Sequence, residues 1–219
     1  RNSRTMGLKA TNDGGTKREP IPAETHVAVC VGYVDLGTQT SDFQGQSKEQ
    51  RRVMLFWDIP EVRVDYNGKS MPARISNRYT LSMYEKAGFR KMLDVWNGAP
   101  LTADEMQSFD LDKLINRPAM LQVQHKPNLK KPGSVYENVV AVNPLFKGIP
   151  RPQMETPAIK YEIEDPETGD FVIPGDTIPR WVKTIISESY EAEKAGWKFD
   201  AAADKAAAQA KADGAETPF

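Results

Sequence analysis

Few residues in this chain have the types and spacing that catalysis needs. His26 and His125 are the only histidines, neither has cysteines at zinc-binding spacing, and no HExxH string occurs. The glycines of NDGGTK, residues 12–17, do not match the GxxxxGK[ST] frame of a phosphate loop. Asp58, Glu61 and Asp65 could be drawn together as a metal-nuclease cluster, which needs converging carboxylates and a route for water. Acidic residues beside turns are as readily a solvated surface. The single cysteine, Cys30, lies in HVAVCV, residues 26–31, and reads as a small buried apolar residue rather than a nucleophile. With no second cysteine it forms no internal disulfide, which suits a reducing compartment. No catalytic residue, metal or cofactor is expected, and the chain reads as a binding protein rather than an enzyme.

Basic and aromatic residues, by contrast, interleave. Lys48, Arg51 and Arg52 lead into Phe56 and Trp57; Lys69, Arg74 and Arg78 lead to Tyr79; Lys126, Lys130 and Lys131 precede Tyr136. Single-stranded nucleic acid offers a line of phosphates, which Lys and Arg answer, and unpaired bases, which aromatic rings stack on without base preference. Binding of that kind weakens as salt is added. Nothing in the pattern reads a 2′-hydroxyl, so DNA and RNA both stay open. Trp57 and Tyr79 are each either a stacking platform or a core residue, while Phe56, in the run VMLFW, reads as core.

These residues need a scaffold. The chain has 219 residues, 39% hydrophobic, with no apolar run long enough to span a membrane as a helix. Its formal net charge of -1 is unevenly spread. Residues 1–150 hold 21 Lys/Arg against 16 Asp/Glu, and residues 151–219 hold 8 against 14. A basic body with an acidic appendage suits a body that meets a polyanion. RNSRT, residues 1–5, reads as an expression remnant ahead of Met6.

Strands are expected over 26–35, 51–60, 74–82, 119–125 and 135–143, from β-branched alternation bounded by turn residues. Residues 35–50 read as a polar loop, and Asn67-Gly68 as the turn of a small hairpin. Between the third and fourth strands the period changes: Phe89, Met92, Leu93 and Trp96 form one helical face, Gly98 stops it, and Thr102 with Glu105 forms a capping box for a second short helix. Three β elements, a helical insert and two more β elements predict a mainly β protein. Its expected fold is a five-stranded oligonucleotide/oligosaccharide-binding (OB-fold) barrel with a C-terminal helical extension. The expected divisions are an arm over 1–20, the barrel over 21–150, an accessory hairpin and helix over 151–199, and an Ala-rich acidic tail over 200–219. In the accessory helix Pro179 suits the first turn, and Trp181, Val182, Ile185, Ile186 and Ser189 share a face that packs on the barrel or meets a partner.

The strings GLKAT (7–11), IPAETHVAVCV (21–31), DLGTQ (35–39), WDIPE (57–61), SNRYTLSMYEKA (76–87) and FDLDKLINRP (109–118) together resemble a family of bacteriophage and prophage single-stranded DNA-binding proteins. The resemblance implies an OB fold, sequence-independent coating of single strands in phage replication or recombination, self-association, and residence in the cytoplasm of the infected host. The terminal DGAETPF also resembles the acidic, Pro-Phe-ending tip of bacterial single-stranded DNA-binding proteins, which implies recruitment of replication or recombination proteins through Asp213, Glu216, Pro218 and Phe219. This copy has Thr217 where an aliphatic residue is usual. The alternative function is a barrel that meets protein rather than DNA, as a recombination accessory or nuclease inhibitor.

Overall fold

The structure, a computed structural model, describes residues 19–43, 45–66, 68–129 and 132–206. Six strands form one sheet: β1 (Thr25–Phe43), β2 (Gln46–Tyr66), β3 (Lys69–Thr80), β4 (Pro118–Pro127), β5 (Val135–Asn143) and β6 (Ile159–Tyr161). The path runs β3-β2-β1-β4-β5, with every neighbouring pair antiparallel, and β6 adds in parallel to β1. Between β3 and β4 lie α1 (Gly88–Asn97), α2 (Ala103–Gln107) and a 3-10 turn, Leu111–Leu114; α3 (Arg180–Ile186) and α4 (Tyr190–Lys194) follow β6.

The OB-fold barrel expected from the sequence is not what forms. The sheet does not close, because β3 and β5 end the path with no backbone ladder between them among the described residues. Helix α1 packs against both end strands. One side chain spans the seam: Asn77 Nδ2 donates to the Val139 carbonyl at 3.3 Å.

The sheet is buried on both faces. One core joins Cys30, Val53, Leu55, Trp57 and Ile75 to Phe89, Met92, Leu93 and Trp96 of α1 and to Leu121, Val139 and Val142. The other joins Val29, Val31, Val34, Met54 and Phe56 to Ile159, Tyr161, Ile163, Ile178, Val182 and Ile186. This explains why VAVCV and VMLFW are continuous apolar runs: alternate residues point to opposite faces, and strands covered on both sides need apolar residues at every position. The hydrophobic contribution is large, since burying one such side chain is worth about 1.5–3 kcal/mol.

Local signals act where the sequence put them. The buried residues of α1 are Phe89, Met92, Leu93 and Trp96, and Gly98 caps it in the left-handed region with φ 72°, its N–H donating to Val95 O. Thr102 and Glu105 form a reciprocal capping box on α2. Two expectations fail. Residues 35–50 are not a loop: β1 and β2 pair from Thr38↔Arg51 to Phe43↔Gln46 as a ribbon. The single accessory helix is two, broken where the Ser189 side chain accepts from Ala192 N–H and starts α4. Val182 and Ile186 enter the second core, whereas Trp181 is 52% exposed. Among the described residues no helix is long and apolar enough to cross a membrane.

Candidate functional site

Among the described residues, those singled out for nucleic acid do not gather on one face, although β4 and β5 set Lys126 opposite Tyr136. Trp57 is fully buried, its ring 6.1 Å from that of Trp96. Arg51 is held by Asp35, at 2.6 Å from Nη2, and by Glu164 at 3.3 Å. Arg74 donates to the buried Asp58 at 2.7 Å and to Thr156 at 2.7 Å, tying β3 to the segment that leads into β6. Arg52 is half-buried, and its Nε, also buried, finds no partner among the described residues. Lys48, Lys69, Arg78, Lys126 and Tyr136 are exposed, yet Lys48 and Lys69 stand near opposite ends of β2, separated by roughly 60 Å of strand path before any bending. Lys130, Lys131, Asp213, Glu216, Pro218 and Phe219 lie outside the described residues.

The carboxylates are equally dispersed. Asp58 serves Arg74, Glu61 meets the Nδ1 of buried His26 at 2.9 Å, and Asp65 accepts from the Gly68 N–H at 3.1 Å. Among the described residues no group of three His, Cys, Asp or Glu side chains could hold a metal ion. His26 is a residue whose role the sequence hid. Its Nε2 lies 2.9 Å from the Pro22 carbonyl, so it fixes the entry to β1 to the β2 segment carrying Glu61.

A recess of about 540 Å³ lies between the sheet and the C-terminal layer, lined by Tyr33, Asp35, Arg51, Phe109, Glu162 and Glu164. Its polar groups are already engaged. The Tyr33 hydroxyl donates toward Asp112 at 2.8 Å and Glu162 at 3.0 Å, and Lys160 donates to Asp112 at 2.7 Å. Burial and these two carboxylates push the Tyr33 phenol well above its ordinary range, so it stays a neutral donor. The Asp112 carboxylate is held below its ordinary range by Lys160 and Tyr33. This network latches the layers together.

The seam between β3 and β5 is different in kind. There a cleft of about 290 Å³ is lined by Asn77 and Tyr79 of β3, Lys91, Met92 and Val95 of α1, and Val139 to Val142 of β5. It exists because the end strands do not pair and α1 underlies them. Asn77 donates to the Tyr79 hydroxyl at 3.1 Å as well as to Val139, and the Tyr79 ring is tilted on Phe89 at 5.9 Å. Burial pushes the Tyr79 phenol up to about 12, so this hydroxyl is neutral at physiological pH. At the mouth Val95 is 51% and Val140 42% exposed. Val140 stands out because β5 carries an extra residue there: Gln122 pairs with Ala141 and Val123 with Val139. Lys91 is exposed and has no carboxylate partner among the described residues. The cleft can seat one bulky apolar group with an anion beside it. Tyr79 was the only one of its residues visible in the sequence as a candidate; Val140 gives no signal without the β-bulge.

The chain matches no family model, no curated protein and no solved structure. The resemblance to phage single-stranded DNA-binding proteins is therefore unsupported. With the sheet open, its second face covered by the C-terminal layer and Trp57 in the core, the single-strand-coating function expected from it does not stand.

Proposed function

We propose that this chain is a non-catalytic binding protein that seats an apolar side chain of an acidic partner polypeptide in the cleft between β3, β5 and α1. The observation that carries this reading is the pairing of exposed apolar residues, Val95 and Val140, with a cation, Lys91, that has no carboxylate partner among the described residues, at the mouth of one apolar cleft. Its volume, about 290 Å³, is at the small end for cofactors and ample for a single anchoring side chain of the kind that dominates protein interfaces. Lys91 favours an Asp or Glu next to that anchor and disfavours a basic one, so charge supplies the selectivity. Elsewhere the buried ionisable groups hold elements together: Asp35 with Arg51, Asp58 with Arg74, His26 with Glu61. The lone buried Cys30 fits a cytoplasmic location.

The test is a selection of displayed peptides on the intact chain, repeated on Val140→Asp and Lys91→Glu. The reading expects enriched peptides with an apolar residue flanked by Asp or Glu, and about tenfold weaker binding to either variant. No enrichment, or peptides that bind both variants as well as the parent, would refute it.

A further inference from the structure

The seam cleft suits a bulky apolar group with an anion beside it, and the chain carries one such group itself. The two end segments outside the described residues, 1–18 and 207–219, hold three large apolar side chains: Met6, Leu8 and Phe219. Charge separates them. The 1–18 segment has five Lys/Arg and one Asp, and Met6 and Leu8 stand between Arg4 and Lys9, so Lys91 at the cleft mouth repels their surroundings. Phe219 is the opposite case: the stretch from Asp213 to Phe219 contains Asp213 and Glu216 and no Lys or Arg. A large aromatic ring is also the kind of side chain that contributes most when it fills a pocket at an interface. Val95 and Val140, 51% and 42% exposed, leave the mouth open to receive it.

We propose that the 213–219 segment docks in the seam cleft of its own molecule, with Phe219 in the apolar cleft and the acidic residues toward Lys91, and so competes with the acidic partner polypeptide for one site. This docking presupposes the seam as a binding site. Residues 207–219 follow the last described residue, Ala206, and extended they span about 43–47 Å. A domain of this size has a radius of gyration of about 16 Å, so the segment is long enough to come round the fold to the seam. One anchor and one ion pair bind weakly between separate molecules. Tethering raises the local concentration of the segment to about millimolar at best, and that is enough to fill a weak site in part. An outside peptide then meets only the fraction of clefts left open, and its apparent affinity falls by that fraction.

Amide chemical shifts of the isotope-labelled full chain test it, with the parent, Phe219→Ala, Val140→Asp and the double variant. Phe219→Ala is expected to move the amides of Asn77 and Tyr79, of residues 91–95 and of residues 139–142, and to move none of them in the Val140→Asp background. The parent shifts should stay the same on dilution from about 500 to 50 µM, because the contact is intramolecular. An acidic, apolar-anchored peptide selected on the chain should bind Phe219→Ala about fivefold more tightly than the parent. Seam amides that move with dilution would give the cleft to the segment of a second copy and overturn docking within one molecule. If Phe219→Ala leaves those amides unmoved while the added peptide still moves them, the docking fails and the seam stands as a binding site. If neither Phe219→Ala nor the peptide moves them, both fail.

Discussion

Replacing Gly32 by alanine isolates the docking of the C-terminal layer. Gly32 has φ +148°, and a Cβ placed there would lie 1.8 Å from the Ile159 carbonyl oxygen and 2.6 Å from its carbon. Those are backbone atoms of the β6 residue that pairs with Gly32, so no side-chain rotation relieves the overlap. Either β1 shifts within a sheet already paired on its other edge, or β6 lifts away; the second is the easier. Lifting β6 exposes Ile159 and loosens Ile163, now 4% and 0% exposed. At about 1.5–3 kcal/mol for each fully buried isoleucine, and with about 1–3 kcal/mol for alanine at this φ, the loss is about 4–6 kcal/mol after partial relaxation. That is a large share of the roughly 5–15 kcal/mol that stabilises a typical domain. Gly148→Ala is the control: its φ is +88°, but nothing lies within 4 Å of a Cβ there, so only the conformational cost of about 1–2 kcal/mol applies. Urea unfolding followed by tryptophan fluorescence gives both values, and hydrogen exchange over 159–199 shows whether the layer has lifted. If Gly32→Ala lies within about 1 kcal/mol of Gly148→Ala, the tight β1–β6 approach does not hold the layer and the reasoning fails.

Three further outcomes follow from single contacts. Arg74→Leu leaves the buried Asp58 carboxylate with Thr156 as its one hydrogen-bond donor among the described residues, and should cost about 2–4 kcal/mol after discounting for the partial exposure of Arg74; unchanged urea stability would contradict that pairing. Burial pushes the Cys30 thiol up to about 12, and the side chain is fully buried, so native protein should not react with a disulfide reagent until it unfolds; prompt reaction would place Cys30 outside the core. Burial raises Glu191, but the N–H and hydroxyl of Thr38 and the Arg51 charge outweigh it and leave the carboxylate below its ordinary range. A lowered carboxylate contributes stability that is complete above the unfolded-state value and is lost as the pH falls through the folded-state value. Glu191→Gln should therefore be less stable than the parent at neutral pH and converge with it in acid; parallel urea midpoints at both pH values would show that Glu191 does not clamp the ribbon root.

Much of the secondary structure was legible because its determinants are local. The spacing of Phe89, Met92, Leu93 and Trp96, the left-handed cap at Gly98 and the Thr102–Glu105 capping box each act within a few residues. The ribbon was not legible: Gln, Ser, Thr and Gly between 37 and 50 read as a loop, and only pairing with each other makes those residues strands. Closure of the sheet was misjudged because strand order along the chain says nothing of whether the two end strands meet. VAVCV and VMLFW already signalled a sheet covered on both faces, and the covering layer, Ile159 to Ile186, is more than a hundred residues away. Basic residues were read as free because their partners are distant in sequence: Arg51 with Glu164, and Arg74 with Thr156. Val140 and Lys91 carry no motif, and only the β-bulge in β5 and the seat of α1 bring them to one cleft.

The most direct test of the seam as a binding site is amide chemical-shift mapping while a selected acidic, apolar-anchored peptide is added to isotope-labelled protein. Binding at the seam predicts that the shifts concentrate at Asn77 and Tyr79, from Lys91 to Val95, and from Val139 to Val142, and that they vanish with Val140→Asp. Shifts confined to the ribbon or to the C-terminal layer, with those amides unmoved, would contradict it.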